Sequence, residues 1–383
     1  MSEIRTFPDF LKRSSIVLGV LVFFIIIIFG VLIYTIPAVS NFNDVLLESI
    51  GINSLFFKIA VFPGYTWAAL IATEIIWFER KFIAKMQLRV GPLYAGVVGG
   101  ILQPIADVIK LVFKEMISPG KSDKLIFYSV PLLSSAIGAS LLAVLPVSDG
   151  WLIMRSDVSM LIVFAVIGFV PISVLLAGWA SNSKFPFIGA LRGLHQMIAF
   201  EVSMLIAALS VVLLSGSLDL VNIVQAQSRV WFIVLMPIGA IVFFITLLAE
   251  LERIPFDLPH AESEIVMGYQ TEYSSMAFGS IQLGTYIRFY ALSGIFTTLF
   301  LGGWYGPQFL PAGFEIINQV EWFTLKTLLV MVFIIILRGV NPRFRLDLLL
   351  KFGWSRLLVL AFLNLFIAIF ILQMGWFPFT GGI

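Results

Sequence analysis

Six carboxylates lie close together in a chain that is otherwise strongly apolar. They occupy residues 250–276, between two apolar segments, although 60% of all residues are hydrophobic. They are Glu250, Glu252, Asp257, Glu262, Glu264 and Glu272. Carboxylates crowded at a poorly hydrated surface repel one another, so some of them keep a proton near neutral pH. The pattern therefore indicates a site that stores or passes protons, and the alternative is a solvated acidic face that docks a basic partner.

The prolines and apolar residues of the same stretch favour the first interpretation. Pro255 and Pro259 stand among three apolar side chains, which are Ile254, Phe256 and Leu258. Apolar side chains at this density are typical of a segment that is packed against the rest of the protein. We therefore expect residues 250–276 to fold as a half-buried segment.

The composition predicts an all-α polytopic membrane protein. Charged residues make up 12% of the chain, about half the share found in soluble domains. The apolar residues form long continuous runs, whereas a β-barrel would show short alternating segments. Apolar windows of about 20 residues predict nine transmembrane helices. They are residues 16–36, 55–78, 125–145, 158–178, 194–214, 230–249, 280–301, 323–337 and 357–374.

The distribution of basic residues predicts the orientation in the membrane. Nineteen Lys and Arg residues lie on the side of the N-terminus and of residues 250–279, and two lie on the opposite side. Because basic residues concentrate on the cytoplasmic side, we expect a cytoplasmic N-terminus and an external C-terminus. The first span, residues 16–36, is too long for a signal peptide and lacks a cleavage pattern, so we expect a retained helix.

A short segment in the first cytoplasmic connection has a different pattern. In residues 103–115, apolar side chains recur at helical spacing, and charged side chains share the other side. The apolar residues are Ile105, Val108, Ile109, Val112 and Phe113, and the charged ones are Asp107, Lys110 and Lys114. The segment is too short to span the bilayer, so it predicts an amphipathic helix in the interface plane. An ordinary surface helix is the alternative.

Five charged residues fall inside predicted spans, where a charge is costly and by default marks a pathway or a partner, and three of them lie away from the external span ends. These three are Glu74, Glu201 and Arg288. Arg288 is predicted either to neutralise one of the acids or to take part in a proton path. Lys58 and Lys326 lie near external span ends, and we expect them to extend to the interface.

The residue inventory argues against a cofactor bound by this chain alone. The chain contains no cysteine, which excludes a disulfide and a Cys-ligated zinc or iron–sulfur site. Its two histidines, His195 and His260, have no metal-ligand spacing between them. We expect no metal, flavin or nucleic acid to bind here. Crowded carboxylates should favour the protonated form of His260.

Several stretches, in this order and spacing, resemble the H subunit of respiratory complex I, which is called subunit 1 in mitochondria. The matching residues are 79–81, 87–92, 102–107, 114–115, 177–184, 189–192, 201, 255–259, 262–264, 271–275 and 342–347. The resemblance implies a domain of eight transmembrane helices and an amphipathic surface helix over residues 55–383. Residues 1–54 would then add an N-terminal transmembrane helix and an external loop.

The resemblance also implies a role for many of the charged residues. In that family this subunit encloses, with the peripheral arm, a narrow chamber that admits a quinone from the bilayer. The proton relay would comprise Glu79, Glu201, Glu250, Asp257, Glu262, Glu264 and Glu272. The quinone chamber and its entry would be lined by Arg80, Arg89, Asp107, Arg192, Arg253, Phe256, Arg338 and Arg343. Three residues depart from the family pattern: His260 and Thr285 stand where many relatives have Glu, and Arg288 stands where many have a neutral polar residue.

The implied function is that of a quinone-binding, proton-coupling subunit of a complex I-type oxidoreductase, inactive alone. Its substrate would be a quinone, and its electrons would come from NAD(P)H, ferredoxin or a reduced deazaflavin. Its partners would be peripheral subunits with iron–sulfur clusters, adjacent membrane-arm and antiporter-like subunits, and lipid. Two alternatives remain open at this point: the membrane anchor of an energy-converting hydrogenase without a quinone site, and a stand-alone ion transporter.

Overall fold

The computed structural model describes residues 55–96, 99–308 and 315–374, without the side chains of residues 55, 56, 262 and 263. The predicted span 16–36 and the predicted N-terminal unit 1–54 lie outside the described residues. Within them, all regular structure is helical and no strand occurs, which confirms the predicted fold class.

The helices follow one another along the chain with short connections. They are α1 (Leu55–Ala60), α2 (Tyr65–Met86), α3 (Gln103–Phe113), α4 (Lys124–Ala143), α5 (Ser159–Ile167), α6 (Phe169–Ala180), α7 (Lys184–Ser215), α8 (Leu220–Ala226), α9 (Phe232–Leu235), α10 (Pro237–Glu250), α11 (Glu262–Ile265), α12 (Ser275–Phe300), α13 (Glu315–Val340), α14 (Leu346–Lys351) and α15 (Leu358–Gln373). A 3-10 turn (Gly268–Gln270) precedes α12, and a π-helical turn (Phe352–Leu357) joins α14 to α15.

Six helical segments of the described chain are long and apolar enough to cross a membrane. They are Phe57–Met86, Lys124–Ala143, Ser159–Ala180, Lys184–Ser215, Glu315–Val340 and Leu346–Gln373. Each matches a predicted span. Two further predicted spans correspond to α10, which is apolar but only 14 residues long, and to α12, whose hydropathy is lowered by Arg288 and several small polar residues. The total of nine spans therefore stays a prediction.

Several helices extend further than the apolar windows predict, and the extensions of α7 and α2 hold predicted site residues. The windows leave residues 184–193 as a loop, but these residues form the first turns of α7, and residues 79–86 continue α2. Pro186 does not prevent this, because it lies in the first turn, where a backbone N–H has no intrahelical acceptor. Glu79 and Arg192 are consequently held on helices rather than on flexible connections.

The helices α7 and α12 form the centre of the bundle. α7 packs against α6, α10 and α15, whereas α12 packs against α4, α13 and α2. At the contact between α4 and α12, a Cβ added to Gly284 would lie 2.7 Å from the carbonyl oxygen of Ser134. A residue without a side chain is therefore required there, as is common where membrane helices approach closely.

Lys326 does not extend to the interface, and that prediction is wrong. Its side chain is 6% exposed, and its Nζ donates hydrogen bonds to the carbonyl oxygens of Leu301, Gly303 and Tyr305 at 2.7, 3.1 and 2.6 Å. These carbonyls follow the C-terminus of α12, where a helix dipole attracts a cation. The lysine thus connects the end of α12 to α13.

The predicted amphipathic segment is a helix, α3. Its apolar residues Ile105, Val108, Ile109 and Val112 are about half exposed on the outer surface of the bundle. An exposed apolar stripe on a helix too short to span is typical of an interfacial helix. Its position in the plane of the membrane stays a prediction.

Candidate functional site

The acidic segment after α10 is folded and packed, as its apolar residues predict. Leu251, Phe256 and Leu258 are each less than 5% exposed. Gly268 has a φ of +58° and a Cβ there would lie 1.6 Å from the carbonyl oxygen of Pro259. Only glycine fits this contact. The segment therefore holds its charged side chains in defined positions.

A buried carboxylate on α2, Glu79, is the centre of one group of charges. Arg253 Nη1 donates to Glu79 Oε1 at 2.5 Å, and Arg338 donates to the same oxygen. The hydroxyl of Tyr286 donates to Oε2 at 2.7 Å. Glu79 is 2% exposed. Because guanidinium groups stay protonated at any physiological pH, two fixed positive charges stabilise this carboxylate as an anion.

Arg253 is held by aromatic rings as well as by Glu79. Its guanidinium carbon lies 4.8 Å from the ring centroid of Tyr286 and 5.0 Å from that of Phe289. Burial alone would lower the pKa of Arg253, but the facing Glu79 carboxylate raises it above its ordinary value. The arginine is a permanent buried cation.

A second group of charges is organised around Glu252, the neighbour of Arg253. His260 Nε2 lies 2.9 Å from Glu252 Oε2, and the hydroxyl of Tyr269 donates to the same oxygen at 3.0 Å. Burial opposes both charges, yet the pKa of His260 is raised by Glu252 and the pKa of Glu252 is lowered by His260. Each partner therefore favours the charged form of the other, which is a protonated imidazole beside an ionised carboxylate. The second oxygen of Glu252, Oε1, is buried and has no hydrogen-bond partner among the described residues.

Amide side chains connect this pair to α12. Gln282 Nε2 donates to Gln270 Oε1 at 2.9 Å, and Gln270 Nε2 donates to the Tyr269 hydroxyl at 3.2 Å. Burial raises the pKa of Tyr269 well above its ordinary value, so this hydroxyl keeps its proton and remains a donor to Glu252. The chain of hydrogen bonds orients Tyr269 towards the carboxylate.

Asp257 is tied to the segment that follows α13. Arg343 Nη2 donates to Asp257 Oδ2 at 2.9 Å, and the backbone N–H of Phe344 donates to the carbonyl oxygen of Pro255 at 3.3 Å. Burial raises the pKa of Asp257, although His260 and Arg343 both oppose that shift. Asp257 is thus easier to protonate than an exposed aspartate.

These groups surround one cavity of about 220 Å³, which we call the polar cavity. Its lining residues are Leu251, Glu252, Arg253, Ile254, Asp257, His260, Met267, Gln270, Gln282, Thr285, Tyr286 and Arg338. Among them, Arg253 and Arg338 are predicted to line the quinone chamber, and Asp257 is predicted to belong to the proton relay. The structure therefore brings part of the predicted relay and part of the predicted chamber to the same place.

The remaining predicted site residues lie in separate places. Arg80 pairs with Asp107 between α2 and α3, and Arg192 pairs with the exposed Glu264. Arg89 is exposed and donates from Nε to Gln87 Oε1 at 2.8 Å. Neither Arg89 nor Glu272 lines the polar cavity, and the side chain of Glu262 lies outside the described residues.

Three buried or half-buried charges lie beside the polar cavity, within the bundle. Arg288 interacts electrostatically with Glu250 and Glu252, and Glu201 interacts with Glu250. Glu250 is 1% exposed, and its Oε1 has no hydrogen-bond partner among the described residues. Arg288 is in position to neutralise these acids, which is one of the two roles that its location in a span predicts.

Phe256 points away from the polar cavity. It is 3% exposed and packs edge-on against Phe200, with 5.3 Å between ring centroids. With Pro255 it lines a second cavity of about 750 Å³, which we call the apolar groove. Neighbouring residues of one segment therefore contact two different cavities.

The sequence assigns no role to Tyr269 or Tyr286, and it assigns Glu252 a role only as one of six acids, without a partner. Glu252 is visible as one of six acids, but no spacing rule pairs residues 252 and 260, because they lie eight apart in an irregular segment. Tyr286 reaches Glu79 across 207 positions of sequence. A tyrosine within an apolar span gives no signal beyond amphipathic character.

Comparison with known proteins supplies the family. A family model described as NADH dehydrogenase matches residues 58–369. A protein of Dehalococcoides mccartyi, named as the H subunit of NADH-quinone oxidoreductase, is 43% identical over 77% of this chain and 81% of its own length. Proteins of the same name from Geobacillus sp. and Bacillus mycoides are 41% identical, over 83% and 84% of this chain and 96% and 95% of their own lengths. This chain belongs to the family of NADH-quinone oxidoreductase H subunits. The resemblance is confirmed, and the chain is a membrane subunit of an oxidoreductase complex rather than an enzyme by itself.

Proposed function

We propose that this chain forms the membrane side of a quinone-reduction site and couples that reaction to proton translocation. The observation that carries the proposal is the polar cavity, where Glu252, Asp257 and His260 lie with the buried Arg253 and the partly buried Arg338 in a membrane subunit of this family. Quinone is the substrate, as the name of the relatives states for them. Residues 55–383 constitute the working domain, which is an integral part of the energy-converting membrane.

The chemistry of the reaction requires both kinds of charge. Reducing a quinone to a quinol consumes two electrons and two protons, and partner subunits with iron–sulfur clusters supply the electrons. Negative charge arriving in a poorly hydrated cavity attracts protons to nearby carboxylates. The arginines Arg253 and Arg338 stabilise that negative charge, because they stay protonated throughout.

The Glu252–His260 pair is the proton-exchanging element of this proposal. A histidine changes its charge within the physiological pH range, whereas the guanidinium groups around Glu79 do not. His260 replaces the carboxylate that many relatives have at this position, and Glu252 supplies a carboxylate 2.9 Å away. The acid is therefore retained in the cavity together with a proton on the imidazole.

From this pair the relay continues through Glu250 and Glu201 towards the adjacent membrane-arm and antiporter-like subunits. Asp257 takes up protons within the cavity, because burial has already raised its pKa. Glu262, Glu264 and Glu272 belong to the peripheral side of the relay. Arg80, Asp107 and Arg192 belong to the entry and rim of the chamber, with Arg89 beside them.

Photolabelling of the intact complex tests the quinone site. The purified complex containing this chain is illuminated with a short-chain azidoquinone, and labelled peptides are mapped. We expect label within residues 79–92 or 250–260, and an excess of unmodified quinone should remove it. A complex that evolves hydrogen and shows no competed label on this chain would favour the hydrogenase-anchor alternative.

A further inference from the structure

The apolar groove has the size and lining of a site for a hydrocarbon chain. Its volume is about 750 Å³, within the range of small-molecule sites. Its walls come from α10, α13, α14 and the π-helical turn, and they include Phe244, Leu248, Phe333 and Leu337. Phe333 is 51% exposed, so the groove opens on the outer surface of the bundle.

The polar residues of the groove all lie between the end of α13 and the start of α15, in the part of the chain that the Lys and Arg distribution predicts to be cytoplasmic. They are Asn341, Lys351 and Arg356. Phe333 precedes Asn341 by eight residues, so the apolar part extends about 12 Å along the helix from the end of α13. An apolar groove with cations beside it is complementary to an amphiphile that has an apolar chain and an anionic headgroup.

The two cations are available for such a head. Lys351 and Arg356 are exposed, and neither forms an ion pair with a carboxylate among the described residues. No Asp or Glu occurs among the described residues that line the groove. Arg356 stands on the π-helical turn, an irregularity that is frequent at functional sites in proteins.

The surroundings of the groove agree with a lipid occupant. The segment Leu346–Gln373 is the least buried of the six candidate spans, with 22% of its apolar window buried. The basic residues of the groove lie on the side that the Lys and Arg distribution predicts to be cytoplasmic. Anionic phospholipids give that face of a membrane its negative surface potential.

We propose that the apolar groove holds an acyl chain of an anionic phospholipid whose phosphate is bound by Lys351, Arg356 and Asn341. The lipid contacts Pro255 and Phe256, so it supports the segment 253–257 from the side opposite to the charged residues. This site lies beyond the proposed quinone reaction and does not depend on it.

The test uses the intact purified complex, depleted of lipid, and phosphatidylglycerol with a diazirine on its acyl chain. The matched probe is phosphatidylcholine with the same diazirine chain. After illumination, we expect the peptides covering residues 333–356 to be labelled by phosphatidylglycerol more strongly than by phosphatidylcholine. Equal labelling by the two probes overturns the anionic headgroup. Absence of label shows that protein covers the groove and overturns the proposal.

Two variants locate the binding groups. Lys351→Gln with Arg356→Gln should reduce phosphatidylglycerol labelling roughly fivefold for each charge removed, the factor by which a basic residue strengthens contact with an anionic surface. Lys121→Gln with Lys124→Gln removes the same charge from an exposed place outside the groove and should leave the labelling unchanged. Leu348→Trp, at an exposed wall position, keeps the cations but narrows the groove and should also lower the labelling. Labelling that survives both groove variants contradicts the proposal.

Discussion

The polar cavity and the apolar groove share one short segment, residues 253–257, and differ in nearly every chemical respect. Arg253, Ile254 and Asp257 line the first, whereas Pro255 and Phe256 line the second. The cavity is about 220 Å³ and surrounded by ionisable groups, and the groove is about 750 Å³ and mostly apolar. A single irregular segment therefore separates a cavity lined by ionisable groups from a groove lined mostly by apolar side chains.

The carboxylates that contact the residues of the polar cavity also fall into two kinds. Glu79 is bound by two arginines, which cannot lose their protons, and Glu252 is bound by a histidine, which can. Substitutions at Glu79 and its arginines should therefore affect stability, and substitutions at Glu252 and His260 should affect the response to pH. Substitutions in the apolar groove should leave both groups of charges intact.

Arg253→Met should be the most damaging single change. It leaves Glu79 buried with one guanidinium fewer, and breaking a buried ion pair costs about 3–5 kcal/mol. Thermal unfolding and subunit retention of the purified complex measure this loss. The double variant with Glu79→Gln removes the anion as well, so we expect it to regain stability but not quinone reductase activity. Equal stability of the single and double variants would show that the pair is not coupled.

Asp257→Asn should reduce quinone reductase activity with less effect on stability. The amide can still accept a hydrogen bond from Arg343 but cannot take up a proton, and loss of a proton-transferring group lowers rates by about 100-fold or more. Asp157→Asn is the matched control, because Asp157 is exposed and does not line the cavity. The measurement is the steady-state rate of quinone reduction by the complex containing each variant. A wild-type rate in Asp257→Asn would remove Asp257 from the relay.

The Glu252–His260 pair should make stability depend on pH. The pKa of His260 is raised above 6.5, and that of Glu252 is lowered below 4.5. The pair therefore makes its full contribution to the free energy of unfolding between pH 4.5 and 6.5. It is lost as pH rises through the folded pKa of His260 or falls through that of Glu252. The difference in unfolding temperature between wild type and Glu252→Gln with His260→Gln, measured from pH 4 to 9, should follow this profile. A flat difference would show that the pair is not ionised.

Phe256→Leu should change the protein least. Because Phe256 faces the apolar groove and packs on Phe200, a volume-reducing apolar replacement is expected to cost about 1 kcal/mol. Because Phe256 does not line the polar cavity, the Michaelis constant for quinone should stay within about twofold of the wild-type value, a difference of about 0.4 kcal/mol. A large rise in that constant would place Phe256 in the quinone chamber, which is the position that the chain's resemblance to the family implies.

Much of the architecture could be predicted from the sequence because it depends on local composition. Apolar windows locate six of the spans, helical spacing locates α3, and the prolines and apolar residues of 250–276 indicate a packed segment. The extension of α7 to Lys184 is not predicted, because Pro186 and nearby polar residues are typical of a loop. The position of Lys326 is not predicted either, because hydropathy does not reveal which carbonyls a buried lysine can reach.

The site was only partly predictable, because local composition does not show contacts between residues that are distant in sequence. Residue types and family motifs identify Glu79, Arg253, Asp257 and Arg338, which are charged and stand out against an apolar background. The partners that set their chemistry come from distant positions, as Tyr286 does for Glu79. The pairing of Glu252 with His260 depends on the path of an irregular segment, which no periodicity specifies.

The proposed coupling depends above all on proton transfer by the Glu252–His260 pair during quinone reduction. The number of protons translocated per quinone reduced should be measured in vesicles containing the complex with Glu252→Gln and His260→Gln. We predict that this number falls while the variant still reduces quinone. If the number and the reductase rate both equal the wild-type values at neutral pH, the pair does not carry the protons and the proposed coupling is contradicted.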